Sequence, residues 1–582
     1  MIEDVKRIPY GVSNFVEVVE QNQYYVDKTM YLPLLEQQPN SLFFIRPRRF
    51  GKSIFLSMLR TYYDISQKEK FQKRFGNLWI GSQPTPLQGT FQILFLDFSR
   101  IGGIDGTLAQ NFDDYCCGGL DDFASIYEPY YYPGFALEMK QLEGSTNKLN
   151  FLDRKARNNG SHLYLIIDEY DNFTNVVLNE QGNEIYHALT HASGFYREIF
   201  KKFKGMFERI FMTGVSPVTL DDLTSGFNIG TNYSLSPEFN EMTGFTEKEV
   251  REMLTYYSTN SPFNHTVGQL IDIMKPWYDN YCFAPECYGE TTLYNSNMVL
   301  YFVKNYILRG KAPQKMIESN IRIDYEKLRM LIRKDKEFAH DASIIQTLVS
   351  QGYITGELKD SFPAANIVDP DNFISLLYYF GMLTISGMHK GKNKLTIPNQ
   401  VVEEQLYTYL LNTYNEADLS FSSYEKDELA SALAYDGNWQ AYFGYIADCL
   451  KRYASQRDKQ KGEFFVHGFT LAMTAQNRFY RPISEADTQE GYADLFLCPL
   501  LEIYPDMKHS YIIELKYAKY KDSESRVEEL RLEGIAQANR YADSDRVKNA
   551  VGTTQLHKIV VVYKGMEMRV CEEIVPLHET YN

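Results

Sequence analysis

What this chain lacks narrows its class before any motif is read. Its seven cysteines are odd in number, contain no Cys-x-x-Cys pair and adjoin only at Cys116-Cys117. That excludes a disulfide framework and a zinc ribbon. No apolar run approaches bilayer-spanning length, and Met1-Ile2-Glu3-Asp4-Val5-Lys6-Arg7 lacks the character of a signal peptide. The expectation is a protein of the reducing cytoplasm with no membrane partner. Positive charge is short as well: 60 Lys and Arg against 75 Asp and Glu leave a net charge of −15. The chain as a whole repels nucleic acid, so contact with DNA or RNA needs a local basic surface, and no long basic stripe supplies one.

What is present describes an ordinary globular protein, 44% hydrophobic and 23% charged, whose 582 residues are too many for one core. One stretch organises it. Ile45 to Ser53 reads Ile-Arg-Pro-Arg-Arg-Phe-Gly-Lys-Ser. Against G-x-x-x-x-G-K-[ST] it keeps the second half and places Arg46 where the first glycine belongs. The apolar run Leu42-Phe43-Phe44-Ile45 before it predicts a buried strand, and Ile54 to Tyr63 after it has helical spacing. In that context Gly51 lets the backbone approach a phosphate and the helix start aims N–H groups at it. Lys52 would reach the β- and γ-phosphates of ATP, and the Ser53 hydroxyl would ligate Mg²⁺. The bland alternative is a basic strand-to-helix turn that happens to spell Gly-Lys-Ser.

A second stretch, Tyr164-Leu165-Ile166-Ile167-Asp168-Glu169-Tyr170-Asp171, weighs against that alternative. An apolar run ending in Asp-Glu supplies a metal-holding carboxylate, Asp168, and a base for the attacking water, Glu169. Phe91 to Phe98 and Phe207 to Val215 read as further strands, the latter ending at Thr213. Thr213 is a candidate γ-phosphate sensor; the competing reading is a strand-terminal Thr before a Gly turn. Strands alternating with helical patterns predict an α/β fold with a largely parallel sheet and a site at its C-terminal edge. Ile8 to Gln38 leads in, with a helix expected at Met30–Leu35 capped near Asp27 or Thr29. Gly102 to Gly160 is expected to be helices plus an insertion or lid. His187 and His191 stand one helical turn apart without a third ligand, which favours a structural role.

From Thr246 the pattern turns helical, and Thr246-Glu247-Lys248-Glu249 spells a capping box. An apolar helix over Ile374–Tyr379 precedes two β-runs flanking Gly387 to Lys394, a hairpin with a basic tip. Helices followed by such a hairpin resemble a winged-helix module, and a solvated hairpin is the competing reading. After a polar connector from Gln456 the pattern changes again. Glu463 opens an amphipathic helix, followed by strands at Tyr492–Leu497 and Tyr511–Tyr517. On the second strand Glu514 and Lys516 share a face while Leu515 points to the other. Asp494 can join them if the strands pair as a hairpin. Asp494 and Glu514 would bind Mg²⁺, with Mn²⁺ an admissible substitute, and Lys516 would orient water or neutralise developing phosphorane charge. Gln537 and Tyr541 lie on one face of a following helix. Alternating Glu and Lys on an exposed strand edge is the competing reading, but here the pair lies inside an apolar strand, where unpaired charge is costly.

With these residues in view the sequence resembles a bacterial family of AAA-ATPase-like proteins with a C-terminal PD-(D/E)XK nuclease-superfamily domain. The resemblance rests on Ile8-Pro9-Tyr10-Gly11, Tyr25-Val26-Asp27-Lys28-Thr29, Arg46 to Ser53 and Ile167 to Asp171. It continues through Thr213-Gly214-Val215, Gly244-Phe245-Thr246, Trp277-Tyr278-Asp279 and the series Asp494, Glu514-Leu515-Lys516 and Gln537. It implies Lys52, Ser53, Asp168 and Glu169 at a nucleotide; Arg48, Arg49, Gly51 and Thr213 stand beside them as further nucleotide-binding candidates. It implies Glu463, Asp494, Glu514, Lys516 and Gln537 at a nuclease-like site, with Gly491-Tyr492-Ala493-Asp494 an acceptable match at the first carboxylate.

Three regions are therefore expected: an AAA-like P-loop ATPase domain at 1–245, a mainly helical, winged-helix-like middle at 246–455, and a nuclease-like α/β domain of restriction-endonuclease type at 456–582. The leading functional expectation is an ATP-binding and ATP-hydrolysing protein coupled to a Mg²⁺-dependent nuclease, with DNA ahead of RNA as partner. A signalling or scaffolding ATPase, whose nuclease-like domain binds a partner without cutting, is the alternative. Arg197, Arg209 and Arg251 are equivalent candidates for an arginine finger, so the sequence leaves a homo-oligomer open.

Overall fold

The computed structural model describes residues 5–101, 108–173, 195–218, 230–261, 263–318, 344–367, 369–415, 423–453, 462–483 and 495–574. Asp494, His187 and His191 lie outside the described residues. The chain forms two compact units. One takes in Met1–Lys311, Ile317–Asp335 and Gly356–Asn393, the other Ala312–Met316, Lys336–Thr355 and Lys394–Asn582.

The first unit is built on a five-stranded sheet. Its strands are β1 (Ser41–Ile45), β2 (Phe91–Asp97), β3 (His162–Asp168), β4 (Arg209–Gly214) and β5 (Thr231–Asn232). All pair in parallel, in the order β2-β3-β4-β1-β5. β1, β3 and β4 are almost wholly buried, as near-continuous apolar runs must be when both sheet faces are covered. Helix α1 (Lys52–Tyr63) follows β1 directly and buries Phe55, Leu56, Met58, Leu59, Tyr62 and Tyr63. These side chains join Phe44, Tyr164, Ile166 and Phe211 of the sheet in one core. Burying each such side chain contributes about 1.5–3 kcal/mol.

Over its described residues, the stretch expected to hold a lid is a helical crossover from β2 to β3, with helices at Leu108–Tyr127, Phe135–Lys140 and Ser145–Asn159. The expected capping box is present: Glu249 N donates to Thr246 Oγ1 at 3.2 Å, and Thr246 N donates to Glu249 Oε2 at 2.8 Å. It starts helix α2 (Glu247–Asn260). The same Glu249 accepts from buried Lys28 at 2.6 Å. The lead-in helix lies within one residue of its expected span, but its cap differs. It spans Tyr31–Glu36 and has no side-chain cap. Asp27 instead accepts from Thr29 N, Thr29 Oγ1 and Trp79 N, tying the lead-in to a distant turn. A helix at Pro370–Tyr379 precedes strands at Thr384–His389 and Lys392–Thr396. Between those strands Lys390 and Gly391 both have positive φ, the pairing that a type I′ turn requires.

The second unit contains a five-stranded sheet of β6 (Tyr480–Ile483), β7 (Leu495–Pro499), β8 (His509–Ala518), β9 (Gln555–Lys564) and β10 (Glu567–Glu573), in that order. β8 and β9 are parallel and the other neighbours antiparallel. A parallel pair needs a crossover, and α4 (Glu524–Ala542) provides it, packing on both strands; α3 (Glu463–Ala475) precedes the sheet. Gly534 sets how close α4 comes. A Cβ there would meet Val560 Cγ1 at 3.0 Å and Glu514 Cβ at 3.6 Å. No described helix is long and apolar enough to cross a membrane.

Candidate functional sites

In the first unit the C-terminal ends of β1, β3 and β4 converge. β1 runs into Arg46, whose N–H still bonds Gly214 O at 3.3 Å. The chain then turns through Arg49 and Gly51, with φ of +67° and +87°, before α1 begins at Lys52. Gly51 is suited to that conformation because it has no Cβ. Lys52 Nζ is buried and donates to Arg46 O at 2.9 Å and Pro47 O at 3.0 Å. Burial lowers its pKa, while the charges of Glu169, Asp168 and Asp171 work the other way.

Asp168, at the end of β3, is the hub. Its Oδ2 accepts from Ser53 Oγ at 2.6 Å, and its Oδ1 accepts from Thr213 Oγ1 at 2.7 Å and from Glu169 N at 3.0 Å. β4 lies between β1 and β3, which is why Thr213 can reach Asp168. Glu169 has φ of +50°. Burial raises its pKa, opposed by Arg48 and Lys52. Asp171 is buried and accepts from Val215 N and Ser216 N, which fixes the turn after β4. A hydroxyl and a carboxylate oxygen at 2.6 Å form a hard-oxygen pair that fits Mg²⁺, an ion that keeps several waters and binds phosphate beside one or two protein ligands.

Arg46 does not face this site. It is 1% exposed, donates to Ile45 O, Ser234 O and Phe239 O, and lies between the rings of Phe44 and Phe283 at 4.2 and 4.4 Å. Desolvation lowers its pKa to about 10. The residue in the first-glycine position therefore anchors the loop from beneath. Arg49 is held from the side, donating to Glu318 Oε2 at 2.8 Å, and Asn297 donates to the same oxygen at 3.2 Å. A cleft of about 540 Å³ opens over the loop. Arg48, Arg49, Lys52, Ser53 and Glu169 line it together with Val12, Tyr24, Tyr25, Phe245 and Leu300. The lead-in segment thus walls the cleft as well as carrying its short helices.

In the second unit β8 carries the other constellation. Glu514 is fully buried and its Oε2 lies 3.1 Å from Lys516 Nζ, whose side chain is 15% exposed. Leu495, the residue after Asp494, pairs with Ile513, the residue before Glu514. Gln537 stands one helical turn after Gly534 on α4, and its Oε1 is buried without a hydrogen-bond partner among the described residues. Glu463 begins α3 and is exposed. Gly462, the residue before it, lies beside Tyr517: a Cβ there would stand 3.6 Å from the Tyr517 ring. Lys516 and Glu514 are brought together, Gln537 shares a helix face with Gly534 beside them, and Glu463 stands exposed at the start of α3.

Residues 9–224 match the family described as predicted AAA-ATPases, and residues 461–573 match the PD-(D/E)XK nuclease superfamily. The chain carries both domains. Over 420 residues the chain is 24% identical to the "Uncharacterized protein in vnfD 5′region" of Azotobacter chroococcum mcd 1, covering 70% of each chain. Two solved structures of Aeropyrum pernix also match. The ORC1 protein in complex with DNA is 10% identical, covers 71% of this chain and 96% of its own, and has a TM-score of 0.24. The ORC2 protein in ADPNP-ADP complexes is 11% identical, covers 66% and 93%, and has a TM-score of 0.27.

The ATPase-like domain also uses residues that sequence reasoning passed over. Glu318 grips Arg49 from a polar stretch without periodic pattern, and nothing local marks it. Asp171 was visible in the Asp-Glu-Tyr-Asp run, but its capping of β4 depends on a strand that follows it in the chain. Of the finger candidates, Arg209 donates to Leu35 O and Glu36 O, and Arg251 pairs with Glu247 at 2.7 Å.

Proposed function

We propose that the chain binds and hydrolyses ATP in its first unit and that this controls a Mg²⁺-dependent phosphodiesterase in its second, acting on DNA ahead of RNA. The regions at 1–245, 246–455 and 456–582 would serve as ATPase, helical connector and nuclease. Lys52 would neutralise the β- and γ-phosphates, Ser53 and Asp168 would hold Mg²⁺, and Glu169 would take a proton from the attacking water. Thr213 would orient Asp168, and Arg48 and Arg49 would border the phosphates. In the second unit Glu514 and Asp494 would hold the metal, which when bound polarises the phosphodiester and lowers the pKa of its water. Lys516 would place that water or balance charge on the phosphorane, with Gln537 and Glu463 at the margin.

The observation that carries the nuclease half is Glu514, fully buried and 3.1 Å from Lys516. A carboxylate removed from water this completely is costly and is concentrated at functional sites. The test is cleavage of supercoiled and single-stranded DNA with Mg²⁺ or Mn²⁺, with and without ATP, for wild type, Lys516→Ala and Lys52→Ala. Scission lost in the first variant and altered in the second is the expected result. Scission that survives Lys516→Ala removes the lysine from the reaction. The net charge of −15 favours a second reading, a signalling ATPase whose nuclease-like domain holds a protein partner. Calorimetry separates the two, because the first requires Mg²⁺ binding that Glu514→Ala abolishes.

A further inference from the structure

Beyond the carboxylate–lysine pair, the end of β8 carries a feature that the hydrolytic reading does not use. The strand stops at Ala518, and Lys519, Tyr520, Lys521 and Asp522 follow as a tight turn into α4. The turn is fixed by its own bonds. Lys519 N donates to Asp522 Oδ2 at 2.8 Å, and Asp522 N donates to Lys519 O at 2.9 Å. Gly565 supports it from β9's end, its N–H bonding Ala518 O at 2.9 Å. A Cβ on Gly565 would lie 3.3 Å from Tyr520 Cδ2 and 3.7 Å from Tyr520 Cβ.

On this rigid base Tyr520 is 86% exposed, the highest value among the exposed large hydrophobic side chains described. Lys519 and Lys521 flank it, both exposed and neither in an ion pair among the described residues. The nearby acids are engaged: Asp522 caps the turn, and Glu524 pairs with Lys564 and Arg569. An aromatic ring standing in water is a cost to solubility with no return in packing. A ring between two cations, four residues beyond Lys516, has the two elements that hold an unpaired polynucleotide: a stacking face and charges for the flanking phosphates.

We propose that Tyr520 is a base-stacking platform, with Lys519 and Lys521 as phosphate contacts, and that it selects single-stranded polynucleotide at the end of β8. The ring presents a face to a base that has left its own stack, whereas duplex bases offer no free face to it. The inference rests on the reading of Glu514 and Lys516 as the hydrolytic site, and names the substrate class of that site.

The test measures equilibrium binding of the full chain to labelled single strands and duplex of one sequence, in DNA and RNA versions, with 2-aminopurine as a stacking reporter. Tyr520→Ala is expected to weaken single-strand binding by roughly fivefold to a hundredfold and to restore 2-aminopurine emission, leaving duplex binding unchanged. Tyr520→Phe is expected to bind as wild type. The Lys519→Ala, Lys521→Ala double variant is expected to bind less tightly and to depend less steeply on salt. Equal losses on DNA and RNA support a ring that reads the base alone; a loss confined to DNA supports the platform and names DNA as its ligand. Tyr520→Ala binding single strands like wild type, or losing duplex equally, overturns the inference. If Lys516-dependent cleavage persists with Tyr520 silent, the platform alone falls. If wild type neither binds nor cuts any polynucleotide, the hydrolytic reading falls and the platform with it.

Discussion

The two sites meet the cost of buried charge in opposite ways. Around the phosphate loop of the ATPase-like domain, the buried ionic groups take their hydrogen bonds from dipoles and hydroxyls. Asp168 accepts from Ser53, Thr213 and a backbone N–H, Asp171 from two backbone N–H groups, and Lys52 and Arg46 donate to carbonyls. In the nuclease-superfamily domain, buried Glu514 has a charge of opposite sign two residues away on the same strand. The difference teaches where each can be read. A dipole-solvated site collects groups far apart in the chain, such as Ser53 with Asp168 or Arg46 with Phe239. A charge pair on a strand lies within one short stretch of sequence.

The largest expected effect tests the pair. Lys516→Ala should lower strand scission by on the order of 10³-fold while ATP turnover stays within about twofold, read by gel assay and phosphate release on one preparation. Turnover falling in step would mean that the two sites are not separable. The next test sets a dipole-solvated cation against the loop pattern. Arg46→Gly restores the glycine of the general phosphate loop, yet it should destabilise the first unit by about 3 kcal/mol, because three carbonyls lose a charged donor. The first thermal transition, followed with and without ATP, measures it; an unchanged transition would remove Arg46 as an anchor.

A smaller effect concerns pH. Burial holds the Glu169 pKa above its ordinary 4.5, so the proposed base should be protonated, and kcat for ATP hydrolysis should fall, at a higher pH than for an exposed glutamate. The sign for stability is opposite: between the raised folded pKa and 4.5 the folded chain holds a proton that the unfolded chain has released, so this group's contribution improves as pH falls through that window. Glu169→Gln should flatten the acidic limb; an identical limb in the variant would assign it elsewhere. The smallest effect is at Glu318. Glu318→Gln removes the charge that holds Arg49 at 2.8 Å and should tighten ATP about two- to fivefold by titration, since the pair is partly exposed. Weaker binding in that variant would make Glu318 a support for the loop and not a competitor for Arg49.

What was legible follows from the same contrast. The strands β1 to β4 were readable because each is an apolar run stopped by a polar or glycine residue at the sheet's C-terminal edge. Lys52, Ser53, Asp168 and Glu169 were readable from two motifs, and Glu514 with Lys516 from strand periodicity. The role of Arg46 was not, because its partners Ser234, Phe239 and Phe283 are distant in sequence and no local pattern announces them. The lead-in helix was legible to within one residue, but its cap was not, for a related reason: Asp27 looked like a cap, but tertiary structure uses it to hold Trp79 N.

The bare backbone of Gly534 beside Val560 and Glu514 has a wider consequence. The helix that covers β8 rests at a spacing set by a hydrogen atom where nearly every other residue would bring carbon. A methyl group there would press on Val560 at 3.0 Å and fill the space up to Glu514 Cβ at 3.6 Å, so the helix-to-sheet spacing beside Glu514 depends on its absence. A substitution on the outer surface of this helix, at exposed Leu532 for instance, leaves that spacing alone, while one on its inner surface has to be matched by the strand.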